Sequence, residues 1–87
     1  MNIILYVDFK SSQINNDFRL ANALTEKHTI LLVTSKEQLL SSCKAYEIVL
    51  VGQSVGEFNI DINNKIIKVE DNLSLEELLL QIDNIQN

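Results

Sequence analysis

Glu47-Ile48-Val49-Leu50-Val51-Gly52 is the stretch that decides the fold. The aliphatic run is unbroken, without the polar alternation of a strand that faces water on one side. A strand buried on both faces reads this way, and that is the habit of parallel sheets covered by helices. Gly52 ends the run and marks where the chain leaves the sheet.

Working outward, the same signature recurs twice upstream. Ile3 to Val7 is a continuous apolar run closed by Asp8, and Thr29 to Thr34 is a second, β-branched one. Between them, Ile14, Phe18, Ala21 and Leu24 recur at helical steps. They predict a helix from about Asn15 to Lys27, with Asn15 or Asn16 as cap and Asp17 in the positive first turn. Ser35 caps a second, short helix with Gln38 three residues on, and Leu39, Leu40 and Cys43 form its buried side. The order strand, helix, strand, helix, strand with short connections argues for a parallel sheet covered on both faces.

Downstream of Gly52 two readings fit. Phe58, Ile60 and Ile62 alternate with polar residues, and Lys65-Ile66-Ile67-Lys68-Val69 follows Asn63-Asn64. Either 53–64 is a loop leading to a parallel fourth strand, or 58–62 and 65–69 form a hairpin at one edge. The last element is a helix. Ser74 caps it with Glu77 reaching back, Leu73 and Leu78 form a staple, and Leu75, Leu78, Leu79, Ile82 and Ile85 line one face. Leu80 lies off that stripe.

Eighty-seven residues make one domain, 1–87, and the 46% hydrophobic, 22% charged composition is that of an ordinary globular chain. With no proline and two glycines, a flexible linker is not expected. The charge is uneven. Residues 1–46 hold five bases and four acids, whereas 47–87 hold two bases and eight acids, so the net charge of −5 sits in the second half. Such a field repels nucleic acid backbone and anionic membrane, and no apolar run approaches the ~20 residues that span a bilayer. A single cysteine excludes an internal disulfide. With no basic leader before the first strand, the expected location is cytoplasmic.

Three segments carry a family resemblance. Ile4-Leu5-Tyr6-Val7-Asp8 resembles the first strand of a response-regulator receiver domain. Ala45-Tyr46-Glu47-Ile48-Val49-Leu50-Val51 resembles its third strand, which delivers the phospho-accepting aspartate, and Asp71 to Leu79 resembles the entry to its last helix. The resemblance covers 3–54 and 65–86. It implies a three-layer, flavodoxin-like α/β fold with a mainly parallel four-stranded sheet, order 2-1-3-4, and three helices. It also implies that the phosphorylation chemistry is missing. Phe9 stands where a second acid is expected beside Asp8, Gly52 where the acceptor aspartate would be, and Asp71 where a lysine would be. The chain is shorter than such domains by about one strand–helix pair, falling between Val51 and Lys65. Transfer to an aspartate needs an acceptor carboxylate, a hard cation held by oxygens and positive charge near the phosphate. A second, weaker similarity is to the small IIB subunits of sugar phosphotransferase systems, through the element order and Leu50-Val51-Gly52-Gln53-Ser54-Val55. Their cysteine or histidine after strand one is replaced by Phe9-Lys10-Ser11-Ser12.

The expected function is therefore a pseudo-receiver: a non-catalytic, regulatory signalling module that binds a protein partner or itself, with no cofactor and no metal. Phe58, Ile60, Ile62 and Leu80, with the acidic flank Glu76 and Glu77, are the expected contact residues. The alternative is a small-molecule- or phosphate-binding protein, or an inactive phosphocarrier-like domain, using Asp8, Lys10, Ser11 and Ser12 at the carboxyl end of strand one, where open α/β sheets bind ligands. A thioredoxin-like arrangement is a third possibility if 58–69 is a hairpin. His28 sits at a helix end and Cys43 in the core, and no nucleophile–base pair can be built around a single histidine.

Overall fold

Aliphatic runs too continuous for a one-sided sheet end in the middle layer of three. The computed structural model describes residues 1–70 and 73–86. Among them, strands β1 (Asn2–Tyr6), β2 (Thr29–Val33), β3 (Ile48–Val51) and β4 (Lys65–Lys68) form one sheet in the order β2-β1-β3-β4, every pair parallel. Helix α1 (Ile14–Leu24) joins β1 to β2, α2 (Lys36–Ser42) with a 3-10 turn at Cys43–Ala45 joins β2 to β3, and α3 (Leu75–Gln86) follows β4. The order 2-1-3-4 and the three helices are as the sequence predicts.

Side chains of successive strand residues point to opposite faces, so each strand feeds two cores. Ile3, Leu5 and Val7 of the first strand region, with Ile48, Leu50 and Ile67, meet Ala21 and Leu24 of α1 and Leu78 and Ile82 of α3. Ile4, Val33 and Val49 meet Leu39 and Cys43 on the other face. That second face has only the two-turn α2 as helical cover. The remainder is covered by the segment between β3 and β4, whose Phe58, Ile60 and Ile62 pack on the sheet beside Tyr6, Leu31 and Tyr46. Phe58 meets the Tyr6 ring edge-on at 5.7 Å between centroids.

Residues 58–62 form no strand, so the hairpin reading fails and with it the thioredoxin-like possibility. The segment is a strap, extended enough to alternate its side chains but held by packing rather than by a ladder. Its carboxyl end is tied down by Asn64, whose amide nitrogen donates to the carbonyls of Cys43 (2.8 Å) and Tyr46 (2.7 Å). The Cys43 carbonyl also accepts from the Tyr46 N–H at 3.1 Å, which closes the 3-10 turn, so Asn64 ties the strap to the end of that turn. Asn64→Ala should therefore cost about 1–2 kcal/mol, read as a lower urea midpoint with unchanged slope.

Four local readings need correction. α1 begins at Ile14, and neither Asn15 nor Asn16 caps it; the capping position is Gln13, whose side chain makes no cap bond. The inward positions of α1 are Ile14, Asp17, Ala21 and Leu24, so Phe18, one residue and about 100° further round, falls on the rim. There it stands against Phe9, with ring centroids 5.8 Å apart. Leu40 is exposed because the short α2 buries Leu39, and the chain then tightens to bring in Cys43. On α3 the buried stripe is narrower than predicted: Leu78 and Ile82 are buried, whereas Leu75 and Ile85 lie at its exposed margins. The Ser35 and Ser74 caps form as expected, each hydroxyl accepting from the N–H three residues on at 3.1 Å.

Candidate functional site

The carboxyl end of the sheet is where a parallel α/β fold offers chemistry, because strand ends and helix amino ends converge there. In this chain the convergence centres on Gly52. Its N–H extends the ladder past β3 by donating to the Tyr6 carbonyl at 2.9 Å. The chain then turns, and the next two peptide N–H groups point back towards α1. Gln53 N donates to Oδ1 of Asp17 at 2.8 Å, and Ser54 N to Oδ2 of the same carboxylate at 3.1 Å. Asp17 is 1% exposed.

This geometry explains the glycine. A Cβ at position 52 would lie 2.6 Å from Cγ and 2.7 Å from Oδ1 of Asp17, and would also overlap Oδ2. Gly52 has an ordinary backbone conformation, with no positive φ. The requirement is therefore steric: the carboxylate fills the space that a side chain would need. Two successive amides cradling an anion form the kind of backbone concavity that elsewhere holds phosphate. Here the anion is supplied from within the chain.

The cation is internal too. Lys68, at the end of β4, sends Nζ to the carbonyls of Gly52 (2.9 Å) and Val55 (2.7 Å). The receiver resemblance sets the lysine position at 71; Asp71 lies outside the described residues, and the ammonium that reaches the end of β3 comes from 68. Ser54, itself buried, closes the set: its Oγ accepts from the Asp8 N–H at 2.8 Å, joining the ends of β1 and β3. Asp17, Ser54 and Lys68 thus satisfy the polar backbone groups left over after β1 and β3.

The loop after β1 is similarly self-contained. Asp8 Oδ1 accepts from the Lys10 N–H at 2.9 Å, a side-chain turn that fixes the loop. Ser11 Oγ accepts from Gln13 N at 3.1 Å. Lys10 and Ser12 are exposed. The structure gathers Asp8, Lys10, Ser11 and Ser12 at one loop, with Asp8 and Ser11 engaged in its own turns. A cleft of about 330 Å³ lies beside it, lined by Tyr6, Asp8, Thr34, Val55, Gly56 and Glu57, whose charged groups are both acids. No family model matches the chain, and neither a curated protein nor a solved structure does.

The other predicted residues lie elsewhere. Phe58, Ile60 and Ile62 are half-buried on the α2 face. Leu80 is 61% exposed, and Glu76 and Glu77 are exposed one turn before it. His28 lies at the opposite end of the sheet, just before β2, with a buried Nδ1 that has no hydrogen-bond partner among the described residues. Cys43 is buried, its thiol directed at the Leu40 carbonyl at 3.7 Å. A larger cleft, about 530 Å³, opens at that same amino end of the strands between α2 and the strap, far from Gly52. Among the described residues no group of three His, Cys, Asp or Glu side chains could hold a metal ion.

Sequence reasoning missed Asp17, Ser54 and Lys68. The signal for Asp17 was present: an acid at the centre of an apolar stripe, three residues after Ile14 and four before Ala21. A charge in that slot is buried, and a buried carboxylate has to find donors.

Proposed function

We propose that this chain is a non-catalytic, phosphorylation-incompetent receiver-like module that acts in regulation through protein–protein contact or dimerisation. The observation that carries the reading is the occupation of the space at Gly52. In a receiver the acceptor carboxylate would stand at that strand end; here a carboxylate does stand there, but it belongs to α1 and both its oxygens are committed to backbone amides. A carboxylate so engaged is a poor nucleophile, and the nearby ammonium is committed to two carbonyls. The reading of Asp8–Ser12 as a small-ligand loop has less support, since the loop's turns already use Asp8 and Ser11.

On this reading function lies on an outer surface. α3 offers one, with Leu80 projecting among Glu76, Glu77 and Asp83, all exposed. Phe58, Ile60 and Ile62 support the strap first and reach a partner only by their exposed edges. The test is chemical. Incubation with a small-molecule phosphodonor and magnesium should leave the intact mass unchanged. An acid-labile, base-sensitive adduct of one phosphoryl group would sink the proposal.

A further inference from the structure

The two edges of the sheet are built differently. β4 carries lysines at both ends, Lys65 and Lys68, and charge at an edge discourages pairing. β2 is Thr29-Ile30-Leu31-Leu32-Val33, five residues with no charge and no proline. Among the described residues it pairs with β1 alone. Its central three side chains are each left half-buried, on both faces of the sheet.

We infer that β2 is the pairing edge for a second copy of this chain, aligned antiparallel about a two-fold axis at Leu31. The hydrogen bonds set the register. Thr29 N donates to the Met1 carbonyl at 3.0 Å, and the Val33 carbonyl accepts from Val7 N at 2.9 Å. In a strand the backbone groups of alternate residues point the same way, so Thr29, Leu31 and Val33 face β1 while Ile30 and Leu32 turn their N–H and C=O outward. With the axis at Leu31, Ile30 of one copy stands opposite Leu32 of the other. That is a hydrogen-bonded pair, which exchanges both N–H···O bonds, and the symmetric pair does the same. Every outward group of β2 is then satisfied.

The side chains agree with that register. Leu31 meets its own symmetry mate on the α2 face, and Ile30 meets Leu32 on the α1 face, so apolar groups oppose apolar groups. An isologous interface sets each residue against its two-fold partner, and like charges there are self-repelling. On β4, Lys65 and Lys68 are three residues apart and so point to opposite faces, which leaves a charge at that edge on either face. β2 brings no charge to its seam. This goes beyond the proposed function and rests only on its self-association half. A phosphoryl adduct would remove the non-catalytic reading and leave the β2 dimer standing; a monomer would do the reverse.

The decisive measurement uses the unaltered chain. Sedimentation across a concentration series should show a mass of twice 9.9 kDa at high concentration. Amide exchange should show protection of Ile30 and Leu32 rising with concentration by at least about tenfold, while β1 amides stay constant. A Leu31→Cys variant in a Cys43→Ala background should cross-link to itself on mild oxidation, because directly opposed residues of a non-hydrogen-bonded pair lie within disulfide reach. Leu31→Lys should raise the dissociation constant by about tenfold or more. A chain that stays monomeric to about millimolar concentration overturns the proposal. So does a dimer in which Ile30 and Leu32 exchange freely, since its contact then lies elsewhere.

Discussion

Gly52→Ala should destabilise the protein by about 3 kcal/mol, although it adds one methyl group to a position with ordinary backbone angles. The added Cβ would overlap the Asp17 carboxylate, which sits 2.6–2.7 Å from that point through Cγ and Oδ1. The carboxylate cannot retreat, because α1 and the core under it enclose it at 1% exposure. Either the β3 loop lifts, breaking the Gln53 and Ser54 bonds, or Asp17 leaves and strands those amides. For a domain of this length total stability is on the order of 4–13 kcal/mol, so the loss is a large fraction. Denaturant titration checks it. A double-mutant cycle isolates the cause: with Asp17→Ala in place, the methyl group added at position 52 has room, and the pair should cost about 2–3 kcal/mol less than the sum of the singles. Strict additivity would show that the two residues do not share the space. Gly52→Asp, which installs the carboxylate that a receiver has at this point, should destabilise more than Gly52→Ala. It would force two carboxylates together and so should not restore phosphorylation.

Asp17→Ala alone should cost about 3–4 kcal/mol. Hydrogen bonds to a charged group contribute about 1.5–3 kcal/mol each, and two buried or half-buried N–H groups would lose their acceptor together. Asp17→Asn keeps the volume and one carbonyl oxygen, but turns an NH₂ towards an N–H, so it should recover less than half of that loss. Exchange of the Gln53 and Ser54 amides should accelerate in both variants more than exchange in β1. The sign of the effect discriminates between roles. A residue retained for chemistry is often a stability cost, and its removal stabilises. A neutral or stabilising Asp17→Ala would overturn the structural role assigned to it and return Asp17 to the list of functional candidates.

The parallel sheet was legible because Ile3–Val7, Thr29–Val33 and Ile48–Val51 are aliphatic without alternation, and only a strand covered on both faces requires that. The capping serines were legible because an N-cap bond spans three residues of sequence and needs no distant partner. Phe18 and Leu40 were misplaced for a related reason. Periodicity names a face to within a residue or two, and a wide aromatic on the margin of a stripe reads as part of it. Residues 53–64 were ambiguous because alternation of Phe58, Ile60 and Ile62 is the same whether the segment pairs with a neighbouring strand or lies across a sheet face. The difference is in what stands beside it, and that is not local information.

Gly52 separates the two kinds of knowledge most sharply. The sequence alone determined that a strand ends there, that no nucleophile is present at that point, and that the second half of the chain is acidic. Those conclusions depend on residue identity and on spacings of a few positions. Only the tertiary structure decided why the residue is glycine. Asp17 is distant in the chain and reaches Gly52 through a helix packed across the sheet. Contacts of that kind are set by how layers stack, and no periodicity encodes them. The same holds for Lys68 and for the unguarded edge of β2: a lysine's carbonyl partners and a strand's missing neighbour exist only once the strands have been put in order.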